Sequence, residues 1–84
     1  MDSAIARDAR QLGAILRRAR RQRKLTQAQL GGRMNVRQAT VSTLEEGSAG
    51  SSLKTLLDAL SALDLELVIR PRTKGGVEVF EDMF

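Results

Sequence analysis

Eighty-four residues without a cysteine or a histidine make one small domain that has neither a disulfide framework nor a thiolate or imidazole metal site to stabilise it. A chain of this size buries only about 60–65% of the surface it exposes when unfolded, so oligomerisation is the staple that remains. The formal charge of +4 is unevenly spread: residues 1–47 hold ten Lys/Arg against four Asp/Glu, and residues 48–84 hold four against six, which points to polyanion binding by the first half and other work by the second.

The same inventory narrows the function classes. With no His or Cys, catalysis would rest on Ser or carboxylates, and no Ser has a base at motif spacing, so no enzymatic role, metal or cofactor is expected. Two Phe are the only aromatics, too few to build the stacking platforms of a single-strand binder. A non-specific RNA or nucleoid binder is left on charge alone. No apolar run approaches the roughly 18 residues of a membrane span. The N-terminus "MDSAIARDARQLGAIL" lacks the basic-then-apolar order of a signal peptide, so a soluble, cytoplasmic chain is expected.

In chain order, Leu12, Ile15, Leu16 and Ala19 recur at helical spacing and predict an amphipathic helix over about 6–23. The basic run "RRARRQRK" wraps its last turns, where cations also suit the helix dipole. Thr26 followed by Gln29 is a capping box, and Leu25 and Leu30 are spaced as a hydrophobic staple. They open a second helix over about 27–34, with Asn35 as its left-handed stop. Gly31 and Gly32 inside it each cost up to about 1 kcal/mol relative to Ala, which points to another helix packed very close.

A third helix, about 37–46, is closed by Gly47, and Ser51 or Ser52 caps a fourth that carries the stripe Leu53, Leu56, Leu57, Leu60 and Leu63. The period then changes. "LELVIRP" alternates, with Leu65, Leu67 and Ile69 on one face and Glu66, Val68 and Arg70 on the other, the pattern of a half-buried strand stopped by Pro71. "RTKGG" reads as a turn and "VEVF" as a second short strand before the acidic-apolar end "EDMF". The tail from Val77 reads as a hairpin partner, a frayed terminus or a docking segment. No repeat or long linker divides the chain.

Two short helices joined by a tight turn, "TQAQLGGRMNVRQATVSTLEEG", form a helix-turn-helix. Thr26-Gln27, Val41, Leu44-Glu45 and Gly47 resemble the Cro/C1-type (XRE) family over about residues 10–63. The resemblance implies a mainly α fold, a four- to five-helix DNA-binding domain. "RQATVSTLEE", the Leu-rich helix after it and "LELVIRP" look most like the HipB-type antitoxins, partners of HipA-type Ser/Thr kinase toxins. In that family the strand after the last helix pairs with its copy in a second subunit, and the dimer both represses its own operon and binds the toxin.

The resemblance therefore implies one domain over 1–84, with 6–63 helical, 65–70 a dimerising strand through Leu65, Leu67, Val68 and Ile69, and 72–84 turn and tail. Its implied partners are palindromic double-stranded operator DNA, a second copy of the chain and a HipA-type kinase. The alternative is a stand-alone XRE-type regulator with no toxin. Gly31-Gly32 and the short tail after Pro71 depart from the family pattern.

An α-helix fits the major groove and its first side chains reach base edges. Gln38 can pair with adenine N6 and N7, and Arg37 with guanine O6 and N7 or with a phosphate. Ala39 and the Thr40 methyl can meet a thymine methyl, and Ser42 can read bases or phosphates. Gln27 and Thr26, at the start of the second helix, can meet a phosphate beside free backbone N–H groups, and Arg17, Arg21 and Arg33 are further phosphate candidates. Carboxylates are absent from the third helix until Glu45 and Glu46, where a helix would be leaving the groove. Glu45 is expected to be structural and to pair with Arg17 or Arg21.

Overall fold

The computed structural model describes residues 3–72. Four α-helices follow in order: α1 (Ala9–Gln22), α2 (Gln27–Met34), α3 (Gln38–Glu46) and α4 (Leu53–Ala62). This is the four-helix form of the expected architecture. The "RTKGG" turn, the "VEVF" strand and the tail lie outside the described residues.

Each helix start is set by side-chain oxygens that satisfy orphan N–H groups. α1 begins at Ala9, three residues later than the apolar period predicts, because Asp8 caps it by accepting the Gln11 N–H at 2.8 Å. Gln11 in turn accepts the Arg7 N–H at 2.6 Å. α2 carries the expected capping box: the Gln29 N–H donates to Thr26 Oγ1 at 3.0 Å and the Thr26 N–H to Gln29 Oε1 at 2.8 Å. Ser52 caps α4 through the Thr55 N–H at 3.1 Å. α3 is different, since Arg37 sits at its cap position with no side-chain cap bond.

Two stops position the recognition segment. Asn35 takes the left-handed conformation (φ 60°, ψ 42°), and the Val36 N–H donates to Gly31 O at 2.9 Å. A Cβ on Gly31 would lie 2.8 Å from Val36 O, whereas one on Gly32 would meet nothing within 4 Å. The close neighbour inferred for the glycine pair is thus the turn's own backbone, not another helix, and only Gly31 needs it. Gly47 (φ 75°) closes α3, and a Cβ there would meet the Arg10 backbone at 2.7 Å. Gly13 packs equally close, with Leu44 O 2.8 Å from where its Cβ would be. α1 and α3 therefore touch backbone to backbone.

Packing puts α3 between α1 and α2, with α4 leaning on α2. Leu16 and Ala19 of α1, Leu30 and Met34 of α2, Val41 and Leu44 of α3, and Ala59 and Leu60 of α4 with Leu63 form the core. Leu12, Leu25, Val36, Leu56, Ala62 and Leu65 pack against it half-buried. Burying each such Leu contributes about 1.5–3 kcal/mol, so the core holds α3 by its inward face alone.

The strand expected at 65–70 is not formed. Residues 65–72 lie outside any helix or strand, and the single chain has no strand among its described residues. The reason is physical: a strand exists only as a member of a ladder, and this segment forms none among the described residues. Leu65 still packs on the core, but Leu67, Val68 and Ile69 are 50%, 70% and 90% exposed. No helix among the described residues is long and apolar enough to cross a membrane.

Candidate nucleic-acid interface

α3 presents two unlike faces. Val41, Leu44 and Glu45 are buried, while Arg37, Gln38, Ala39 and Glu46 are exposed and Thr40, Ser42 and Thr43 are half-exposed. The helical period brings Ala39, Ser42 or Thr43, and Glu46 into line on the outward side. Arg37 and Gln38 stand at the start of the helix, where the structure places both clear of the core. Thr43, not among the expected site residues, is half-exposed on the same side, as its position four residues after Ala39 dictates.

Glu45 turns inward to the centre of a polar cluster. Arg20 Nε donates to Glu45 Oε2 at 2.6 Å and Arg20 Nη2 to Oε1 at 3.0 Å, a bidentate pair. Arg20 Nη1 also donates to Leu25 O at 2.8 Å, so one guanidinium ties α1, the turn into α2, and α3. Gln27 Nε2 donates to Glu45 Oε1 at 3.2 Å and Arg17 Nε to the same oxygen at 3.4 Å.

The expected partner was Arg17 or Arg21. Arg20 is the principal one, Arg17 contributes the longer contact, and Arg21 takes no part in the described ion pairs. Arg20 had its own sequence signal, because it lies four residues after Leu16 on the apolar stripe of α1. A charge there must be paired or exposed.

Burial pushes the Glu45 carboxyl up, but hydrogen bonds from Arg20 and Gln27, the Arg20 charge and the Arg17 hydrogen bond outweigh it and hold the group below the usual carboxylate range. The Glu45 hydrogen bond raises the Arg20 guanidinium against the lowering effect of burial. No buried side-chain nitrogen or oxygen among the described residues lacks a partner, so this cluster is a satisfied network.

The remaining candidates surround it. Thr26 Oγ1 accepts within the capping box, which leaves its hydroxyl proton to donate outward. The backbone N–H groups of Gln27 and Ala28, the first two positions of α2, have no intrahelical acceptor by geometry. Such free N–H groups at a helix start point toward a bound anion where one is present. Gln27 is half-buried with one amide proton committed to Glu45 and the other available. The Arg17 side chain is 43% exposed and borders an open depression of about 440 Å³ lined by Ala14, Arg17, Arg18, Arg21 and Gln22. Arg33 is exposed in the last turn of α2. Arg21, Arg33 and Arg37 enter none of the described ion pairs.

Leu65, Leu67, Val68 and Ile69, the expected dimer residues, are displaced from this face in sequence and share none of its contacts. Among the described residues no group of His, Cys, Asp or Glu could hold a metal ion.

The model of a helix-turn-helix domain family matches residues 11–71. A Sinorhizobium fredii (strain NBRC 101917 / NGR234) protein, "Uncharacterized HTH-type transcriptional regulator y4dL", is 39% identical over 57 residues, 68% of this chain. The match spans 29% of that relative's length. Among solved structures, a HipB variant in complex with the O2 20mer matches with a TM-score of 0.79 and 25% identity, covering 86% of this chain and 100% of the other. A HipB–O4 20mer complex matches at 0.78 and 24%, covering 84% and 100%. The HipA–HipB–O2–O3 complex matches at 0.74 and 23%, covering 87% and 100%.

Proposed function

This chain belongs to the helix-turn-helix domain family whose model it matches, and on that premise we propose that it is a DNA-binding transcription regulator, a sequence-specific repressor that places α3 in the major groove of operator DNA. The observation that carries this reading is the division of α3. Of its two carboxylates, both in the last turn, Glu45 is buried and neutralised by Arg20, while Arg37, Gln38 and Ala39 at its start are exposed. Arg37, Gln38, Ala39, Thr40 and Ser42 then read bases. Thr26, Gln27, Arg17, Arg21 and Arg33 hold phosphates and set the register.

The finer reading is an antitoxin. The repressor acts as a homodimer on a palindromic site, its Leu65–Ile69 segments pair across the two-fold axis, and it neutralises a HipA-type kinase. Support comes from the fold it shares with HipB chains in complexes with 20mers and with HipA, and from the exposed apolar run at 67–69. An apolar run of this kind at the surface marks an interaction site.

Fluorescence anisotropy against duplexes from the chain's own upstream region, with scrambled duplexes as control, tests the repressor. A preference of about 10³-fold or more is expected, and equal affinity for both would end the reading. Inhibition of a neighbouring HipA-type kinase by the purified chain tests the antitoxin. Unchanged kinase activity would leave a stand-alone regulator.

A further inference from the structure

We infer that Ser42 and Glu46 act as one acceptor pair on the outward face of α3 and select a base pair that presents an exocyclic amine there, cytosine above all. The inference rests on the placement of α3 in the major groove proposed above. It revises the expectation that the helix is already leaving the groove at Glu46.

The Ser42 hydroxyl donates to Glu46 Oε1 at 3.3 Å. A hydroxyl has one proton and two lone pairs, and an ionised carboxylate has only lone pairs. With the proton committed to Glu46, the pair offers acceptors alone. Glu46 takes part in none of the described ion pairs and is exposed, so no cation among the described residues pairs with it. Ser42 follows Ala39 by three residues and Glu46 follows it by seven, which aligns all three on one side of the helix.

The first turn of α3 offers donors from Arg37 and Gln38. Its last turn carries no Lys, Arg, Asn or Gln, and Thr43 adds the one further hydroxyl there.

In the major groove the acceptors of guanine (N7, O6) and thymine (O4) repel such a pair, while the amines of cytosine (N4) and adenine (N6) satisfy it, and a carboxylate pairs with cytosine N4. The charge sharpens the choice. A carboxylate near the backbone is repelled by phosphates, so Glu46 is tolerated only where an amine meets it, and every other base is penalised. Specificity at this position arises as much from rejection as from attraction.

The test is selection of binding sites from a randomised duplex library by the full chain, by Glu46→Gln and by Ser42→Ala, with thermal unfolding confirming that all three fold alike. The wild-type chain should enrich sites with one cytosine position per half-site. Glu46→Gln should lose the preference there by about tenfold or more and leave other positions unchanged, and Ser42→Ala should relax the same position. Glu46→Gln that enriches the wild-type sequence, or that tightens binding to all sequences alike, would overturn the inference by showing a carboxylate that only repels phosphate. Relaxation by Glu46→Gln confined to A·T pairs, with C·G positions unchanged, would overturn it too. No enriched sequence for the wild-type chain would remove the groove placement itself, and this inference with it.

Discussion

Glu45 is the residue on which binding and stability meet, because the groups that hold it buried belong to α1, α2 and α3 together. Truncation to Ala strands the Arg20 charge and should cost about 3–5 kcal/mol, a large share of the 5–15 kcal/mol typical of a domain. The pH dependence has a definite sign. The folded-state carboxyl lies below its ordinary value, so its stabilisation is fully present above the unfolded value of about 4.3 and is lost as pH falls through the folded value. Arg20, raised in the folded state, adds no slope in that window. Thermal midpoints of wild type and Glu45→Gln should therefore differ most near neutral pH and converge in acid; a constant gap would show that Glu45 does not titrate with folding.

The glycines make a sharper pair. Gly32→Ala adds a methyl in open space and should stabilise by about 0.4–1 kcal/mol. Gly13→Ala must force α1 from the Leu44 and Glu45 carbonyls and should destabilise by about 1–3 kcal/mol. Melting temperatures moving in the same direction would contradict the packing described. Gln38→Ala should lose about 1–3 kcal/mol of discrimination at one adenine and leave non-specific binding nearly intact. Equal loss on cognate and scrambled duplexes would take Gln38 off the base-reading set.

At the scale of elements, the helices are self-defined and the segment after α4 is not. α4 ends where Asp64 adopts φ 57° and the Leu65 N–H donates to Leu60 O at 2.8 Å. Beyond it, the apolar side chains of Leu67, Val68 and Ile69 face outward. An intersubunit strand pair would give this segment a ladder and cover them. Leu67→Pro removes a ladder donor and should give a monomer with operator affinity weaker by about 10²–10⁴-fold, since bivalence is lost. Sedimentation that still shows a dimer for this variant would assign dimerisation to another surface.

For the whole molecule, the basic half and the acidic half divide the labour. Exposed cations lie on α1, α2 and the start of α3, and under the proposed dimeric repressor their counterions are released when DNA binds. With about 6–10 phosphate contacts per such dimer, affinity should fall about 10³–10⁵-fold between 50 and 200 mM salt. A titration showing a near-flat salt response would mean that the cations serve solubility alone.

What the sequence determined by itself is local. The cap at Thr26, the stop at Asn35, the close at Gly47 and the cap at Ser52 are legible because both partners of each bond lie within five residues. Asp8 with Gln11 follows the same spacing rule as Thr26 with Gln29, so the true start of α1 was also within reach. Only the tertiary structure decided the rest. Arg20 and Glu45 are 25 residues apart, and which of several arginines meets that carboxylate depends on how α1 and α3 cross. That crossing is set by Gly13 and Gly47, whose roles no local pattern reveals. Gly31 and Gly32 look alike in the chain, yet one lies under the Val36 carbonyl and the other faces open space. The segment 65–70 follows the opposite logic: its alternation is a property of the sequence, but a strand is a property of a pair, and no such pair forms among the described residues.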